Sequence, residues 1–130
     1  MSKTKTIWKY RPDPEDYTAA HDFLSLIFSE RETQPLVQKL RHAPTMERAA
    51  KDILRAARCG ILEKDNPHVA ADLRKISKGK KISPVLLVRG NGRMGAPLII
   101  ADGYHRICAG WYWEENLPVA CCMVGVAGRS

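Results

Sequence analysis

The chain has 130 residues, 45% of them hydrophobic, and carries 21 Lys and Arg against 14 Asp and Glu, a formal net charge of +7. This length fits one compact domain with its own core and is short for two. No apolar run is long enough to cross a bilayer and no signal-peptide pattern follows Met1, so we expect a cytoplasmic protein with no membrane partner. The four cysteines are then expected to be reduced thiols, and their spacing does not predict a structural metal site.

The first sixty residues are predicted to form a helical extension. Residues 7–10 suggest either a short edge strand or a flexible arm. Asp13 followed by Pro14 is typical of a helix start, and an apolar stripe continues from there, with His21 expected as a packing residue. A second, short helix is expected over residues 36–42, after a polar break in the apolar pattern.

A third helix is predicted between Thr45, as its N-cap, and Gly60, as its stop. Basic side chains recur on one face of this helix at three- and four-residue spacing and predict a continuous basic stripe: Arg48, Lys51, Arg55 and Arg58. Residues 41–81 contain eleven Lys and Arg against five Asp and Glu, a net charge of +6. Such a field attracts nucleic acid, a nucleotide or an acidic protein, or it is an ordinary solvated surface.

Helices and strands alternate in the second half of the chain. The predicted elements are a helix over 68–77 after Asn66 and Pro67, a strand over 84–89, a strand over 97–101, a helix over 107–115 and a strand over 118–124. The continuous apolar run of the first strand predicts burial on both faces. Residues 90–95 are expected to form a flexible link between strands, and residues 125–130 a disordered tail. Cys121 and Cys122 should face opposite sides of the last strand.

The candidate functional site is the turn Asp102–Arg106, between a strand and a helix. The free N–H groups and the positive dipole end of that helix, together with Arg106, form an anion site suited to phosphate. Gly103 allows positive φ or a close backbone approach, Asp102 could cap the helix or hold a cation, and His105 could donate to phosphate or act as acid or base. The same pattern is also typical of an ordinary surface turn.

The run from about Asn66 to Val124 resembles the ParB N-terminal and sulfiredoxin-like superfamily in the order of its elements and in this turn. Partition ParB proteins carry Gly-Glu-Arg-Arg-x-Arg there, of which Gly103 and Arg106 match. Sulfiredoxins carry Gly-Cys-His-Arg, and Tyr104 stands in place of their catalytic Cys. The Asp-Gly-His-His-Arg of the free serine kinases matches this chain best of the three.

The resemblance implies an α/β (α+β) fold, a small domain with a mixed sheet over residues 61–124. It does not cover the helical extension of residues 1–60, and the length of the chain predicts that the two form one compact unit. It implies a site that binds a nucleotide (ATP, ADP or CTP) or another phosphorylated ligand, with Mg²⁺ held by Asp102. The binding residues would be Gly103, Tyr104, His105, Arg106, Lys64 and His68, and the acid–base or catalytic residues Asp102, His105 and Glu63. Phosphoryl transfer and nucleotide hydrolysis are both left open.

A DNA-binding or partition-type accessory protein is the alternative, with the four basic residues of the third helix contacting phosphates. No helix-turn-helix region follows the ParB-like part, so this alternative predicts nonspecific binding. A nuclease, which needs a metal held by carboxylates, is a further alternative, and a homodimer is also left open.

Overall fold

The computed structural model describes residues 6–90 and 98–126 and confirms the α/β class. Its elements are α1 (Pro14–Leu24), α2 (Glu30–His42), β1 (Met46–Arg48), α3 (Ala50–Ala57), α4 (Pro67–Ser77), β2 (Val85–Arg89), β3 (Leu98–Asp102), α5 (Tyr104–Trp113) and β4 (Val119–Gly125). The predicted link over 90–95, apart from Gly90, and the part of the predicted tail beyond Val126 lie outside the described residues. The tail prediction was wrong at Gly125, which is the last residue of β4. Of the helices described, none has the length and apolarity to span a membrane.

The four strands form one mixed sheet in the order β1, β4, β2, β3. β2 pairs in parallel with β4 and antiparallel with β3, and β1 pairs antiparallel with β4. β2 therefore lies inside the sheet, and its residues Val85 to Val88 are at most 1% exposed. The prediction that this strand is buried on both faces is confirmed, since helices cover both sides of the sheet.

Each face of the sheet carries its own core. On one face, Leu87 and Cys121 pack against α3, α4 and α5. On the other face, Leu86 and Cys122 pack against α1 and α2. The prediction that the adjacent cysteines face opposite sides is confirmed, because side chains alternate along a strand.

The segment before α1 is attached to the first of these cores. Trp8 is buried, forms a single parallel bridge with Ile82, and donates its indole N–H to the Pro118 carbonyl at 3.1 Å. α1 then begins as predicted at Pro14, with Asp13 and Asp16 forming a reciprocal capping box. This arrangement corresponds to a minimal edge strand rather than a flexible arm.

α2 begins earlier than predicted. The polar residues expected to interrupt the pattern are its first turn, because Ser29 and Glu32 form a capping box in which each side chain accepts from the other's backbone N–H. The helix runs from Glu30 to His42. His21 is half-buried and its Nε2 lies 3.0 Å from Glu30 Oε2, so it joins α1 to α2 with this ring nitrogen paired, as expected of a packing histidine whose polar atoms are satisfied.

The predicted third helix is wrong at both ends. The residues after Thr45 form β1, in which Met46 pairs with Cys121, because this short segment completes the backbone hydrogen bonding of β4. The Thr45 hydroxyl donates to the Tyr10 carbonyl instead of capping a helix. α3 ends at Ala57, where Arg58, at φ 58°, takes the left-handed conformation expected of Gly60.

Candidate functional site

A strand, a tight turn and a helix follow one another from β3 to α5 as predicted, but α5 begins at Tyr104 and ends at Trp113 instead of running over 107–115. β3 ends at Asp102, Gly103 has a φ of +109°, and α5 begins at Tyr104, so His105 and Arg106 lie in its first turn. A Cβ on Gly103 would overlap the Val85 side chain, so both the conformation and the space at this position require glycine. The expectation that Asp102 caps the helix is wrong, because Gly103 is the N-cap and the Asp102 carboxylate turns toward Arg106.

The first turn of α5 presents main-chain donors. The first intrahelical hydrogen bond is from the Ile107 N–H to the Gly103 carbonyl, at 3.0 Å. The N–H groups of Tyr104, His105 and Arg106 precede it, and within the described residues no side chain accepts a hydrogen bond from them. Such donors at the positive end of a helix dipole favour an anion.

The Arg106 guanidinium connects α5 to α1, to the end of β3 and to the two residues before β2. Its Nε donates to the Ser83 carbonyl at 2.8 Å, and its Nη2 donates to the Pro84 carbonyl at 3.2 Å and to Asp102 Oδ2 at 3.0 Å. Its Nη1 lies 3.8 Å from Asp16 Oδ1 on α1. Burial raises the pKa of Asp102, and the charge of Arg106 opposes that rise. Most of the arginine's donors thus hold the turn, and direct phosphate contact by Arg106 stays a prediction.

His68 and His105 lie side by side. Asn66 caps α4 by accepting from the N–H groups of His68 and Val69, which fixes the start of α4 next to the start of α5. The ring centroids of His68 and His105 are 4.6 Å apart, with the planes tilted by 39°. The sequence named both residues as ligand contacts but did not predict that they touch.

The electrostatic surroundings favour the neutral form of His105. Its burial, and then the proximity of His68, lower its pKa, and Arg106 lowers it further, whereas Asp72 raises it. Asp72 lies one helical turn after His68, and burial raises its own pKa. A neutral imidazole near pH 7 can donate one hydrogen bond and can act as a base.

Glu63 and Lys64 lie on the exposed loop between α3 and α4. This loop is held against α5 by two tyrosines, because Tyr104 donates to the Gly60 carbonyl and Tyr112 to the Leu62 carbonyl. In the described part of the chain, neither Glu63 nor Lys64 makes a side-chain hydrogen bond or an ion pair. No polar contact therefore brings these two predicted residues to the turn.

The four basic residues predicted as one stripe lie on different elements. Arg48 belongs to β1, and Lys51 and Arg55 belong to α3. Arg58 is the left-handed residue that follows α3. All four are exposed, and Arg55 lies 3.3 Å from Asp52. The prediction of a continuous basic stripe on one helix was wrong, because the spacing of these residues assumed a helix from Thr45 onward. DNA binding by these residues stays a prediction.

Two carboxylates near the turn were missed by the sequence reasoning. Asp16 approaches Arg106 from α1, and Asp72, on α4, has a charge that raises the pKa of His105. Two features of the sequence could have identified these carboxylates. One is the capping box that contains Asp16, and the other is the four-residue spacing that places His68 and Asp72 on one helix face. Over residues 6–90 and 98–126, no three His, Cys, Asp or Glu side chains converge as a metal site. Mg²⁺ binding by Asp102 stays a prediction.

A groove of about 460 Å³ runs along β3 and ends at the start of α5. One wall is formed by Phe23 and Ile27, at the end of α1 and just beyond it, and the other by Ala57 and Cys59, at the end of α3 and just beyond it. At its polar end the groove reaches Gly103, Tyr104 and His105. Its size is within the range of ligand-binding clefts.

Comparison of the chain with protein-family models, with curated proteins and with solved structures finds no match in any of the three. The resemblance to the ParB N-terminal and sulfiredoxin-like superfamily thus stays a prediction based on the turn residues and the order of the elements.

Proposed function

We propose that the protein binds a nucleotide or another phosphorylated ligand at the start of α5. The observation that supports this proposal is the juxtaposition of the main-chain donors of Tyr104, His105 and Arg106 with the contacting rings of His68 and His105. Two helices begin here, so both dipoles have their positive ends near the same point. A phosphate group is the common biological anion that can accept several such hydrogen bonds at once.

Each residue has a separate role in this proposal. The N–H groups of the first turn of α5 bind phosphate oxygens, and His105 and His68 donate from their rings. Gly103 lets the backbone approach β2, and Arg106 positions the turn through the Ser83 and Pro84 carbonyls. The charge of Arg106 is largely offset by Asp102 and Asp16, so the helix ends supply the electrostatic attraction and the two histidines contribute hydrogen bonds.

The proposal concerns binding, and phosphoryl transfer would require one further change. Asp102 would have to leave Arg106 to hold Mg²⁺, because its Oδ2 accepts from that guanidinium at 3.0 Å. Catalysis would then rest on positioning and on stabilising the charge of the transferred group.

The test is a calorimetric titration of ATP, ADP, CTP and inorganic phosphate, each with Mg²⁺, into the full chain. We expect at least one of them to bind, and His105→Ala and His68→Ala to weaken that binding about tenfold or more, the loss of a charge-assisted hydrogen bond. His42→Ala is the matched control, since His42 is exposed at the end of α2 and its one side-chain hydrogen bond within the described residues is to the Gln38 carbonyl of the same helix. No binding by any of the four, or equal binding by all three variants, would show that the site is wrong.

A further inference from the structure

Two imidazole rings lie in contact where α4 and α5 begin. The ring centroids of His68 and His105 are 4.6 Å apart, and His68 is exposed while His105 is half-buried. A neutral imidazole has one N–H donor and one acceptor nitrogen, whereas a protonated imidazole has two donors. Two rings this close repel each other when both are charged, so the free protein disfavours the doubly protonated pair.

The charged groups around the rings do not supply a counter-charge for a second proton. Asp72, on α4, is the acidic group that acts on His105, and its Oδ1 lies 4.0 Å from the Nζ atom of Lys75. Arg106, on α5, opposes protonation of His105, although its own charge is paired with Asp102 at 3.0 Å.

The other titratable groups near the pair do not change this balance. The Tyr104 ring lies 6.1 Å from that of His105 and is uncharged near pH 7, because burial raises the pKa of its phenol. Cys59, which lines the same groove as His105, carries a free thiol rather than a carboxylate. Glu63 and Asp65 are exposed in the loop before α4, and within the described residues neither side chain bonds to the rings. A counter-charge for the protonated pair must therefore arrive with the ligand.

We infer that the site takes a terminal phosphate, a monoester dianion, in preference to a diester, and that the histidine pair takes up a proton from solvent when the dianion binds. This inference rests on the phosphate binding proposed above. Near pH 7 a phosphate monoester brings close to two negative charges, whereas a diester brings one. With two charges to compensate, the acceptor nitrogen of one ring can bind a proton, and both rings then donate to phosphate oxygens.

The inference separates two classes of ligand at this turn. ATP, ADP, CTP and inorganic phosphate each present a doubly charged terminal group near neutral pH. The internal phosphates of a nucleic acid strand are diesters with one charge each, so the histidine pair would discriminate against them.

The first test compares phenyl phosphate with methyl phenyl phosphate by calorimetric titration into the full chain at about pH 7.5. The two compounds differ by one methyl group, which removes the second charge. We expect phenyl phosphate to bind and the diester to bind at least tenfold more weakly. Equal affinities would overturn the inference. Binding of ATP without binding of phenyl phosphate at millimolar concentration would also overturn it and leave the proposed function standing, whereas binding of none of these would contradict both.

The second test counts protons. The phenyl phosphate titration is repeated in Tris and in HEPES, whose ionisation enthalpies differ, so that the difference in heat gives the number of protons taken up. We expect about one proton between pH 7 and pH 8, and an affinity that falls up to about tenfold over that unit of pH. Binding without proton uptake would overturn the inference.

The third test assigns the proton to the histidine pair. The double variant His68→Gln with His105→Gln keeps a side-chain donor at each position but cannot titrate, so its binding should take up no proton and should not change between pH 7 and pH 8. His42→Gln is the matched control and should leave the uptake unchanged, since His42 bonds to the Gln38 carbonyl of α2. Unchanged uptake in the double variant would place the proton on the ligand or on another group and contradict the inference. The first two tests use the unaltered chain and do not depend on the folding of this variant.

Discussion

Gly103 supports both the fold and the candidate site, because its backbone lies against Val85 while its positive φ turns the chain from β3 into α5. We predict that Gly103→Ala destabilises the protein by about 3 kcal/mol, the sum of left-handed strain and overlap with a buried side chain. Urea unfolding would measure the change.

Gly79→Ala is the matched control for that substitution. Gly79 also has positive φ, at +80°, but a Cβ there meets nothing within 4 Å. We expect it to cost about 1 kcal/mol, the strain alone. If both substitutions had the same effect, the contact with Val85 would contribute nothing.

His105 should titrate below the ordinary histidine pKa. Burial and then the neighbouring His68 lower its pKa, whereas Glu30 raises the pKa of His21. One NMR titration of the ring protons should therefore show His105 below about 6.5 and His21 above it. A reversed order of the two would contradict the described surroundings of both rings.

The lowered pKa of His105 also makes the stability of the protein depend on pH in a defined direction. Because the unfolded chain binds this proton more readily than the folded chain, the contribution of His105 to stability is complete above about pH 6.5 and declines as the pH falls through its lowered folded pKa. Asp72→Asn should lower the His105 pKa further, since Asp72 is the group that raises it.

At the scale of elements, Arg106 links α1, the two residues before β2, the end of β3 and α5. Arg106→Met should cost about 3 kcal/mol, because it leaves the Asp102 carboxylate buried without its partner. Adding Asp102→Asn should cost less than the sum of the two single changes, by about 1 kcal/mol, since the unpaired charge is then removed. Additive single changes in chemical denaturation would show that the pair is not coupled.

Local signals at element ends were enough to predict several boundaries. A cap or a turn depends on only three or four consecutive residues, so it can be recognised locally. The boundaries predicted in this way are those at Asp13 with Pro14, Asn66 with Pro67, and Asp102 with Gly103. The strand over Val85–Arg89 was also predictable, since its apolar run is continuous.

Other boundaries depend on distant partners. β1 has three residues and forms because β4, more than seventy positions later, offers free backbone groups, which no local pattern reveals. The helical spacing of the basic residues around it was therefore misleading. Likewise, the contact of His68 with His105 depends on α4 packing against α5, and only the presence of each residue near a helix start was visible in the sequence.

At the scale of the whole molecule, three of the four cysteines lie inside the two cores. Cys108, Cys121 and Cys122 are fully buried, and burial raises the pKa of Cys121 to about 11, whereas Cys59 is half-buried beside the groove. We predict that a thiol reagent modifies Cys59 first in the native protein and the other three only on unfolding. Mass spectrometry of the labelled peptides would identify the site, and early labelling of Cys121 would contradict the packing.

Both halves of the chain contribute strands to the sheet, since β1 precedes the loop between α3 and α4 while β2, β3 and β4 follow it. Cutting the exposed loop near Glu63 would give one piece with α1, α2, β1 and α3 and another with the three remaining strands. The second piece alone would have Leu86, Ile99 and Cys122 uncovered and should aggregate. Mixed together, the pieces should reassemble, which would make this chain suitable as a split reporter whose halves join without a covalent connection.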